Sequence, residues 1–411
     1  MNRRFRAGAV VAAVTSILVA GCGTDTVESA NTAPVTSTES APTDLDTADY
    51  RTWPQAEYAT VRDEQQGYVI EAQRLAEYVV LPSNIDPSLV NGAALGVLQS
   101  PDATDLILPP EAVPVLSNAG MLSGFATGRT SDTPVGAEGE ANALRISVLR
   151  FPDSGAAIAA ADGVHQVMLT EAPPAESGGA ARAAATETAI DVLPETAASI
   201  SPDAEGPGVR VDTFTARGDF LIYVSGYSGT GDEQWIAPTV ARTVDEQGRL
   251  LDEFPETPMG QFTTLPIDVD NVLILTLPAE QRSVNQLSVY GTRGLKHFTE
   301  GGDIDDVIDE TGTDRIAIDD SMVFRSADES GAEKLYQAMN DSDLADGVYE
   351  ESAPAPGVPG SMCMTKESAT KTSLRCRVHV GRYTAMVETT DDELGVHQKT
   401  AAQYLILSAV A

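Results

Sequence analysis

Cys22 is the residue of this sequence whose spacing predicts a definite chemistry. It directly follows Ala20 and Gly21 at the end of an apolar run that begins at Ala7, and three arginines precede that run. A basic start, a short apolar core and small residues before a cysteine form the export signal of a lipoprotein. The pattern predicts cleavage before Cys22, a diacylglycerol group on its sulfur and an acyl chain on the new amino terminus. The core is shorter than the ~20 residues that span a bilayer, so an uncleaved membrane helix is less favoured than a lipoprotein or a soluble exported protein.

Cys363 and Cys376 are the two cysteines that remain once Cys22 is lipidated. Disulfides persist outside the cytoplasm, and an even pair of cysteines in an exported protein favours a bridge. The polar stretch from Lys366 to Ser373 is typical of a turn that joins two neighbouring strands. We therefore predict a disulfide between Cys363 and Cys376. A redox site is less favoured, because C-x-x-C spacing is absent.

Short motifs of nucleophilic and metal-binding enzymes occur only in incomplete form. Residues 368–371 match S-x-x-K, but they lie in the turn between the two cysteines, and no S-D-N or K-T-G element follows. Residues 226–230 approach a nucleophile elbow but end in Thr230 where glycine belongs. The four histidines are scattered, and the acidic run 303–310 lacks the order of an EF-hand loop. The sequence thus predicts no enzyme, no metal site and no cofactor, although a hydrolase site assembled from distant segments stays open.

A local excess of basic residues stands out in a strongly acidic chain. Between Cys363 and Arg382 there are five basic residues and one acidic residue, Glu367. On a strand, Arg375 and Arg377 project from the same face. We predict that Arg375, Arg377 and Arg382 form a candidate site for an anion, such as a lipid phosphate or the acidic patch of a partner protein. The alternative is the solvated face of an edge strand whose arginines pair with nearby acidic residues.

Net charge limits the classes of partner. The 411 residues carry a formal charge of −35, with 61 acidic against 26 basic residues. Binding to nucleic acid depends on a basic footprint, so a nucleic-acid partner is not expected. An acidic surface also keeps a protein soluble close to a crowded envelope. Apolar residues make up 42% of the chain, which is enough to build folded cores.

Composition divides the chain into four segments. We predict a signal peptide over 1–21 and a disordered tether over 22–50, because residues 23–50 contain no lysine or arginine and few apolar residues. The remaining length suits two domains, predicted over 51–260 and 261–411.

The predicted N-terminal domain mixes helices and strands. Apolar residues recur at helical spacing from Glu64 to Val80, and Pro82 ends that helix. Residues 171–208 show little periodicity and are predicted to form a long surface insertion. The other predicted elements are strands over 121–127, 144–151, 209–216 and 220–226 and helices over 154–168 and 237–254.

The second half of the chain repeats this order of elements. Asp153-Ser154-Gly155-Ala156 is echoed by Glu329-Ser330-Gly331-Ala332, and Gly218-Asp219-Phe220 by Gly381-Arg382-Tyr383. The fold class is therefore predicted as α+β with two similar sheet-plus-helix domains. A duplication and a chance similarity of common strand and helix orders both remain open. The predicted elements are strands over 272–277, 315–318 and 321–325 and helices over 281–298, 329–339 and 401–409.

Several of these stretches resemble a known family. The opening from Leu45 to Tyr50, the helix from Glu71 to Tyr78 running into Pro82, and the stretch from Phe151 to Ala156 are similar to actinobacterial cell-envelope lipoproteins that carry a domain of unknown function. The resemblance spans 45–411 and includes the C-terminal part with its two cysteines. Ala48 stands where glycine is expected in the family's opening. The resemblance implies a lipid-anchored envelope protein and supplies no activity or catalytic residue.

Three functions follow as hypotheses. The first is a non-enzymatic envelope binding or adaptor module, anchored to the outer face of the cell membrane through Cys22 and presenting its domains to an envelope protein or lipid. The second is a carrier of an amphipathic, lipid-like ligand in a cavity between sheet and helices. The third and least favoured is a hydrolase. A large apolar pocket would favour the carrier, and a closed core the adaptor.

Overall fold

Two antiparallel sheets, one in each half of the chain, form the framework of the protein. The computed structural model describes residues 42, 44–92, 96–131, 141–171, 185–204, 206–279, 287–299, 302–345 and 347–411. The predicted signal peptide, Cys22 and most of the predicted tether lie outside the described residues. Within the described ranges, no helix combines the length and the apolar character that a membrane span requires.

The described part of the N-terminal half, defined as residues 64–253, contains eight strands and five α-helices. The strands are β1 (Leu89–Gly92), β2 (Gly96–Leu98), β3 (Ser123–Ser131), β4 (Asn142–Arg150), β5 (Thr186–Thr188), β6 (Ala197–Pro202), β7 (Val209–Arg217) and β8 (Phe220–Ser228). The helices are α1 (Glu64–Leu75), α2 (Pro82–Ile85), α3 (Ala112–Asn118), α4 (Ser154–Thr170) and α5 (Glu233–Glu253).

In the C-terminal half, defined as residues 288–408, the residues that the structure describes form seven strands and four α-helices. The strands are β9 (Ser288–Tyr290), β10 (Arg315–Ile318), β11 (Ser321–Arg325), β12 (Glu350–Ser352), β13 (Met362–Glu367), β14 (Thr372–Val380) and β15 (Tyr383–Thr390). The helices are α6 (Thr292–Lys296), α7 (Asp303–Glu310), α8 (Glu329–Ala345) and α9 (Glu393–Ser408).

The two sheets share one topology. In the N-terminal half the strands run in the order β3-β4-β8-β7-β6-β5, and β1 and β2 pair with the outer side of β3. In the C-terminal half the order β10-β11-β15-β14-β13-β12 repeats this path, and β9 pairs with the outer side of β10. Helices α4 and α8 follow equivalent strands, as do α5 and α9. The prediction of two similar α+β domains is therefore confirmed.

Aspartate side chains set the beginnings of the long helices. The carboxylate of Asp63 accepts the N–H of Gln66 at the start of α1, and Asp153 accepts that of Ala156 at the start of α4. Such a bond satisfies a backbone donor that lacks a partner within the helix. The same device begins α5 at Asp232, α8 at Asp328 and α9 at Asp392. Helix α5 therefore begins before the predicted 237 and α9 before the predicted 401, which places Pro238 inside α5 rather than in its first turn.

Three predicted elements of the sequence analysis are wrong. Within the predicted insertion 171–208, β5 and β6 extend the N-terminal sheet, because the backbone of Ala197–Pro202 pairs with β7 despite its weak alternation. The predicted strand 272–277 instead forms a 3-10 turn, since Asp268 accepts the N–H groups of Val272, Leu273 and Ile274. The described part of the predicted helix 281–298 is divided between β9, which pairs with β10, and α6.

The segment 44–60 lies against the C-terminal half although it precedes α1. Leu45 and Tyr50, which the sequence analysis placed in the tether, pack against an apolar core of the C-terminal half. Gln55 donates its backbone N–H to the carbonyl of Ile274 at 2.8 Å. Ala48 adopts a φ of 43° in this segment, which explains why glycine is expected there.

Helix α1 joins the two halves. It packs on β3 and β9, and one apolar core contains Leu75 of α1, Phe125 of β3 and Tyr290 of β9. The Gln73 side chain donates to the Leu287 carbonyl at 2.7 Å. Both halves accordingly belong to a single compact unit, Ala41–Ala411.

Candidate ligand-binding site

A half-open cavity of about 260 Å³ lies in the C-terminal half between the sheet and helices α7 and α8. Its walls are mainly apolar, and one end is charged. The apolar side chains on the sheet and α8 are Ile316, Ile318, Met322, Phe324, Met339 and Met386.

Strand register explains why these side chains meet. Ile318 lies opposite Met322, Met322 opposite Met386, and Met386 opposite Arg377. Residues that are direct cross-strand neighbours project from the same face of a sheet. One row across β10, β11, β15 and β14 therefore runs from an aliphatic side chain through two methionines to an arginine. Helix α8 covers the arginine end of this row.

Asp343 of α8 organises the charged end. Its Oδ2 lies 2.6 Å from Nη1 of Arg375 and 2.6 Å from Nη2 of Arg377. Arg375 also donates from Nε to Glu388 at 2.6 Å and stacks over the Tyr349 ring at 4.6 Å. Two guanidinium groups and two carboxylates thus form one cluster whose formal charges cancel.

Burial and charge pairing act differently on the two arginines. Burial lowers the pKa of Arg377, whose side chain is 2% exposed, and Asp343 offsets part of that effect. Burial also opposes the charge of Arg375, but Glu388 and Asp343 outweigh it and raise the pKa of Arg375. Both guanidinium groups therefore stay charged, and both depend on their carboxylates to offset the cost of desolvation.

Hydrogen-bond capacity remains open next to this cluster. Arg377 donates from Nη1 to Oδ1 of Asn340 at 3.0 Å and to the Met339 carbonyl at 3.2 Å. Within the described residues, Nε of Arg377, Nδ2 of Asn340 and Nδ1 of His379 are buried and have no hydrogen-bond partner. Buried polar groups are nearly always paired. Of these three residues, Arg377 is the one that lines the cavity.

The N-terminal half carries different side chains at the equivalent place. In the fourth cross-strand pair from the equivalent two-residue turn, Phe214 faces Tyr223 where the C-terminal half has Arg377 facing Met386. Phe214 and Tyr223 stack with ring centroids 5.3 Å apart within an apolar core. The Tyr223 hydroxyl donates to the buried carboxylate of Asp212 at 2.8 Å, so this place carries one charge in the N-terminal half.

Helix packing closes the N-terminal half at the same position. A Cβ on Gly163 of α4 would lie 2.5 Å from Val115 of α3, so only glycine lets α3 approach this closely. Aligning the capping residues Asp153 and Asp328 places Ala338 of α8 at the position of Gly163. The next residue, Met339, lines the cavity, and α7 is the helix that packs on α8.

Comparison with known proteins places the chain in a family. A family model described as the N-terminal part of a domain of unknown function, DUF7373, matches residues 58–267, and its C-terminal counterpart matches 272–409. The chain belongs to the DUF7373 family. The resemblance to a family with a domain of unknown function is thereby confirmed, whereas its actinobacterial and lipoprotein character stays a prediction.

Other comparisons add little about this DUF7373 protein. The search of curated proteins found no match. Among solved structures, the extracellular domain of PknH from Mycobacterium tuberculosis matches with a TM-score of 0.30 and 10% identity, over 47% of this chain and 98% of that one. A likeness at this level carries no argument about fold or function.

The sequence-predicted site residues of this DUF7373 chain fall in three places. Cys363 and Cys376 lie directly opposite each other on β13 and β14 and form a disulfide, as predicted. Arg375 and Arg377 meet at Asp343. Arg382 lies in the turn after β14, where its Nε donates to the Ser326 carbonyl at 2.9 Å, so the structure does not bring it into the cluster.

The alternative prediction, an edge-strand face whose arginines pair with nearby acidic residues, is wrong about the edge strand and right about the pairing. Strand β14 lies between β13 and β15, and α8 covers the arginine face. An anion at Arg375 and Arg377 would have to compete with Asp343 and Glu388, and binding of an anion there stays a prediction. The sequence analysis missed Asp343 because it ended the helix at Met339, whereas α8 continues to Ala345.

The weaker motifs have structural explanations. Ser368 donates its hydroxyl to the Lys371 carbonyl within the turn, and the Ser228 hydroxyl accepts the N–H of Asp232 near the start of α5. Among the described residues, the potential metal-ligand atoms of Cys363, Cys376 and His397 lie within 4.8 Å of one another. Both sulfurs are in the disulfide and are therefore not thiolate ligands.

Proposed function

We propose that this protein is a non-enzymatic binding module of the cell envelope that carries an amphipathic ligand in the cavity of its C-terminal half. The observation that carries the proposal is the difference between the two halves. The same strands and helices enclose a filled core in one half and an apolar cavity with a charged end in the other. A small number of polar groups at one end of an apolar pocket is typical of ligand sites.

The size of the cavity limits the ligand. About 260 Å³ corresponds to roughly nine water-sized volumes of ~30 Å³. This is slightly below the usual ~300–1,000 Å³ of small-molecule sites. The enclosed part of the ligand is therefore a medium-length apolar chain of roughly eight to ten non-hydrogen atoms, and the rest extends through the open side.

The methionine side chains in the cavity wall are suited to binding an apolar chain. Met322, Met339 and Met386 contribute to the wall, and methionine adapts its shape to apolar surfaces of different outline. A larger and more open groove of about 600 Å³ lies between the halves, but its wall is dominated by charged side chains such as Glu77, Glu253 and Arg293. Burial of an apolar chain is therefore more favourable in the smaller cavity, whose walls are mainly apolar.

The histidines give no support to a hydrolase. Among the described residues, the one hydrogen bond between a histidine ring and a hydroxyl joins Nδ1 of His297 to Thr127 at 3.0 Å. Both residues are at most 1% exposed, so no substrate reaches them. Burial lowers the pKa of His297 to about 3, which makes it a poor general base at neutral pH. We therefore keep the proposal non-enzymatic.

The envelope location is part of the proposal. It rests on the signal that ends at Cys22, on the acidic composition, and on a disulfide of the kind that persists outside the cytoplasm. A lipid anchor would hold the protein on the extracytoplasmic face of the cell membrane, with envelope lipids and proteins as its partners. No nucleic-acid partner is proposed.

Filling the cavity tests the carrier function. Ile318→Trp places a large ring in the cavity, and we expect native mass spectrometry of protein purified from its own envelope to show loss of a bound amphiphile. Leu394→Trp is the matched control, because Leu394 is 64% exposed on α9, which covers the opposite face of the sheet. It should retain the ligand. A stably copurifying protein together with an empty wild-type cavity would contradict the carrier and support the adaptor function.

A further inference from the structure

We infer that the head group recognised at the charged end of the cavity is uncharged and carries hydroxyl groups, as in a fatty alcohol or a monoacylglycerol, and is not an anion. This inference rests on the proposed carrier function and specifies the chemistry of its ligand. The sequence predicted an anion at these arginines, because the pairing of Arg375 and Arg377 with Asp343 and Glu388 could not be seen from it.

Charge cancellation is the first argument. Asp343 pairs with both Arg375 and Arg377, and Glu388 pairs with Arg375. A ligand anion would have to displace a carboxylate that already offsets a buried guanidinium, or approach while that carboxylate repels it. Neither cost is imposed by a neutral head group.

The hydrogen-bonding groups that remain form the second argument. Both arginines contact Oδ2 of Asp343, and no hydrogen bond to its Oδ1 is present among the described residues. Asp343 and Arg377 both line the cavity, so this end has an acceptor on Asp343 without a hydrogen bond and a buried, unpaired donor on Arg377, Nε. A hydroxyl group both donates and accepts, whereas phosphate and carboxylate anions only accept. The hydroxyls of Ser342 and Thr299 in the wall extend the same chemistry.

The surroundings of the cavity reinforce this preference. The whole chain carries a formal charge of −35, so the protein's long-range field opposes the approach of any anion. The apolar side chains Ile318, Met322 and Phe324 occupy the rest of the sheet wall. They bind an alkyl chain without regard to its head group. Selectivity therefore depends on the charged end.

Three probes with the same chain length separate the head groups: mono-octanoylglycerol, octanoate and octyl phosphate. We expect isothermal titration calorimetry of the full chain to give at least tenfold tighter binding of mono-octanoylglycerol than of either anion. Equal or tighter binding of octyl phosphate or octanoate would overturn the neutral-head-group inference and leave the carrier function in place. If no probe binds, and Ile318→Trp does not change the ligand content of the native protein, the carrier function itself is wrong.

Asp343→Asn tests the mechanism of selectivity. The substitution removes one negative charge from the cluster and leaves Arg375 and Arg377 with only Glu388, so octyl phosphate binding should strengthen at least tenfold. The matched control is Asp252→Asn, which removes the same charge from a pair with Arg217 on the N-terminal half. It should leave all three affinities unchanged. Unchanged anion affinity in a folded Asp343→Asn variant, checked by circular dichroism, would contradict the inference.

Discussion

Single buried side chains carry much of the contact between the two halves. Arg129 of β3 is 2% exposed, and its guanidinium donates to Asp305 of α7 at 2.9 Å and to the Lys296 carbonyl at 2.7 Å. Breaking such a buried pair costs ~3–5 kcal/mol, because a charge is left without its partner. Next to this pair, His297 bridges the halves through Thr127 and the Ala76 carbonyl.

His297 should make stability depend on pH. Burial lowers its pKa to about 3 from an ordinary 6.5, so the unfolded chain binds a proton below pH 6.5 while the folded protein does not until about pH 3. The stability is therefore fully present above pH 6.5 and is lost as the pH falls toward 3. Between pH 7 and pH 5 we expect His297 to account for a loss of about 2 kcal/mol in the free energy of unfolding.

Denaturant titrations at pH 7, 6 and 5 measure this dependence. His297→Gln should flatten the pH profile by about 2 kcal/mol, whatever its effect on stability at pH 7. Profiles of equal slope for wild type and His297→Gln would show that His297 is not held neutral in the fold. This pH range lies above most carboxylate titrations, which keeps the histidine contribution separate.

At the scale of elements, the equivalent helices α4 and α8 present different side chains to the sheet. Helix α4 is rich in alanine and lies over Phe214 in a closed core, whereas α8 presents Asn340 and Asp343 to Arg377. The strands beneath the two helices have the same order and equivalent register. The difference between the two halves thus lies in the residues of one helix and one sheet row rather than in the topology.

The disulfide between β13 and β14 should stabilise the C-terminal half. Closing a loop of 13 residues restricts the unfolded chain by about 3 kcal/mol in the chain-entropy account. We expect reductant to lower the thermal midpoint of the wild-type protein and to have no effect on the double variant Cys363→Ala with Cys376→Ala. The double variant should melt near the reduced wild type. Free thiols in the native, non-reduced protein would contradict the bridge.

At the scale of the whole molecule, the location of the protein depends on the lipid anchor predicted at Cys22. Cys22→Ala removes the sulfur that would carry the diacylglycerol, and we expect the variant to leave the membrane fraction because the acyl chains supply the membrane affinity. Thr24→Ala, two residues further along, is the matched control and should remain membrane-bound. Cell fractionation with detection of the folded part measures both. Tight membrane association of Cys22→Ala would show that another feature holds the protein there.

Much of the secondary structure could be predicted from local patterns. The hairpin of β10 and β11 lies where alternation placed it, at Arg315–Ile318 and Ser321–Arg325. Predictions failed where a hydrogen bond from outside the segment decides its conformation. Val272–Ile274 has the composition of a strand. The carboxylate of Asp268 accepts hydrogen bonds from its three N–H groups, and the segment forms a 3-10 turn. Composition gives no indication of such a bond.

The sequence by itself determined the repeated α+β order, the cysteine pair and the local excess of arginines, because each depends on residues close together in the chain or on residue type. Only the tertiary structure decided what the arginines do. Asp343 lies 32 residues before Arg375 and reaches it because α8 packs across β14. Packing over such separations depends on how complete elements fit together, and it places Asp343 against the two arginines that the sequence predicts as an anion site.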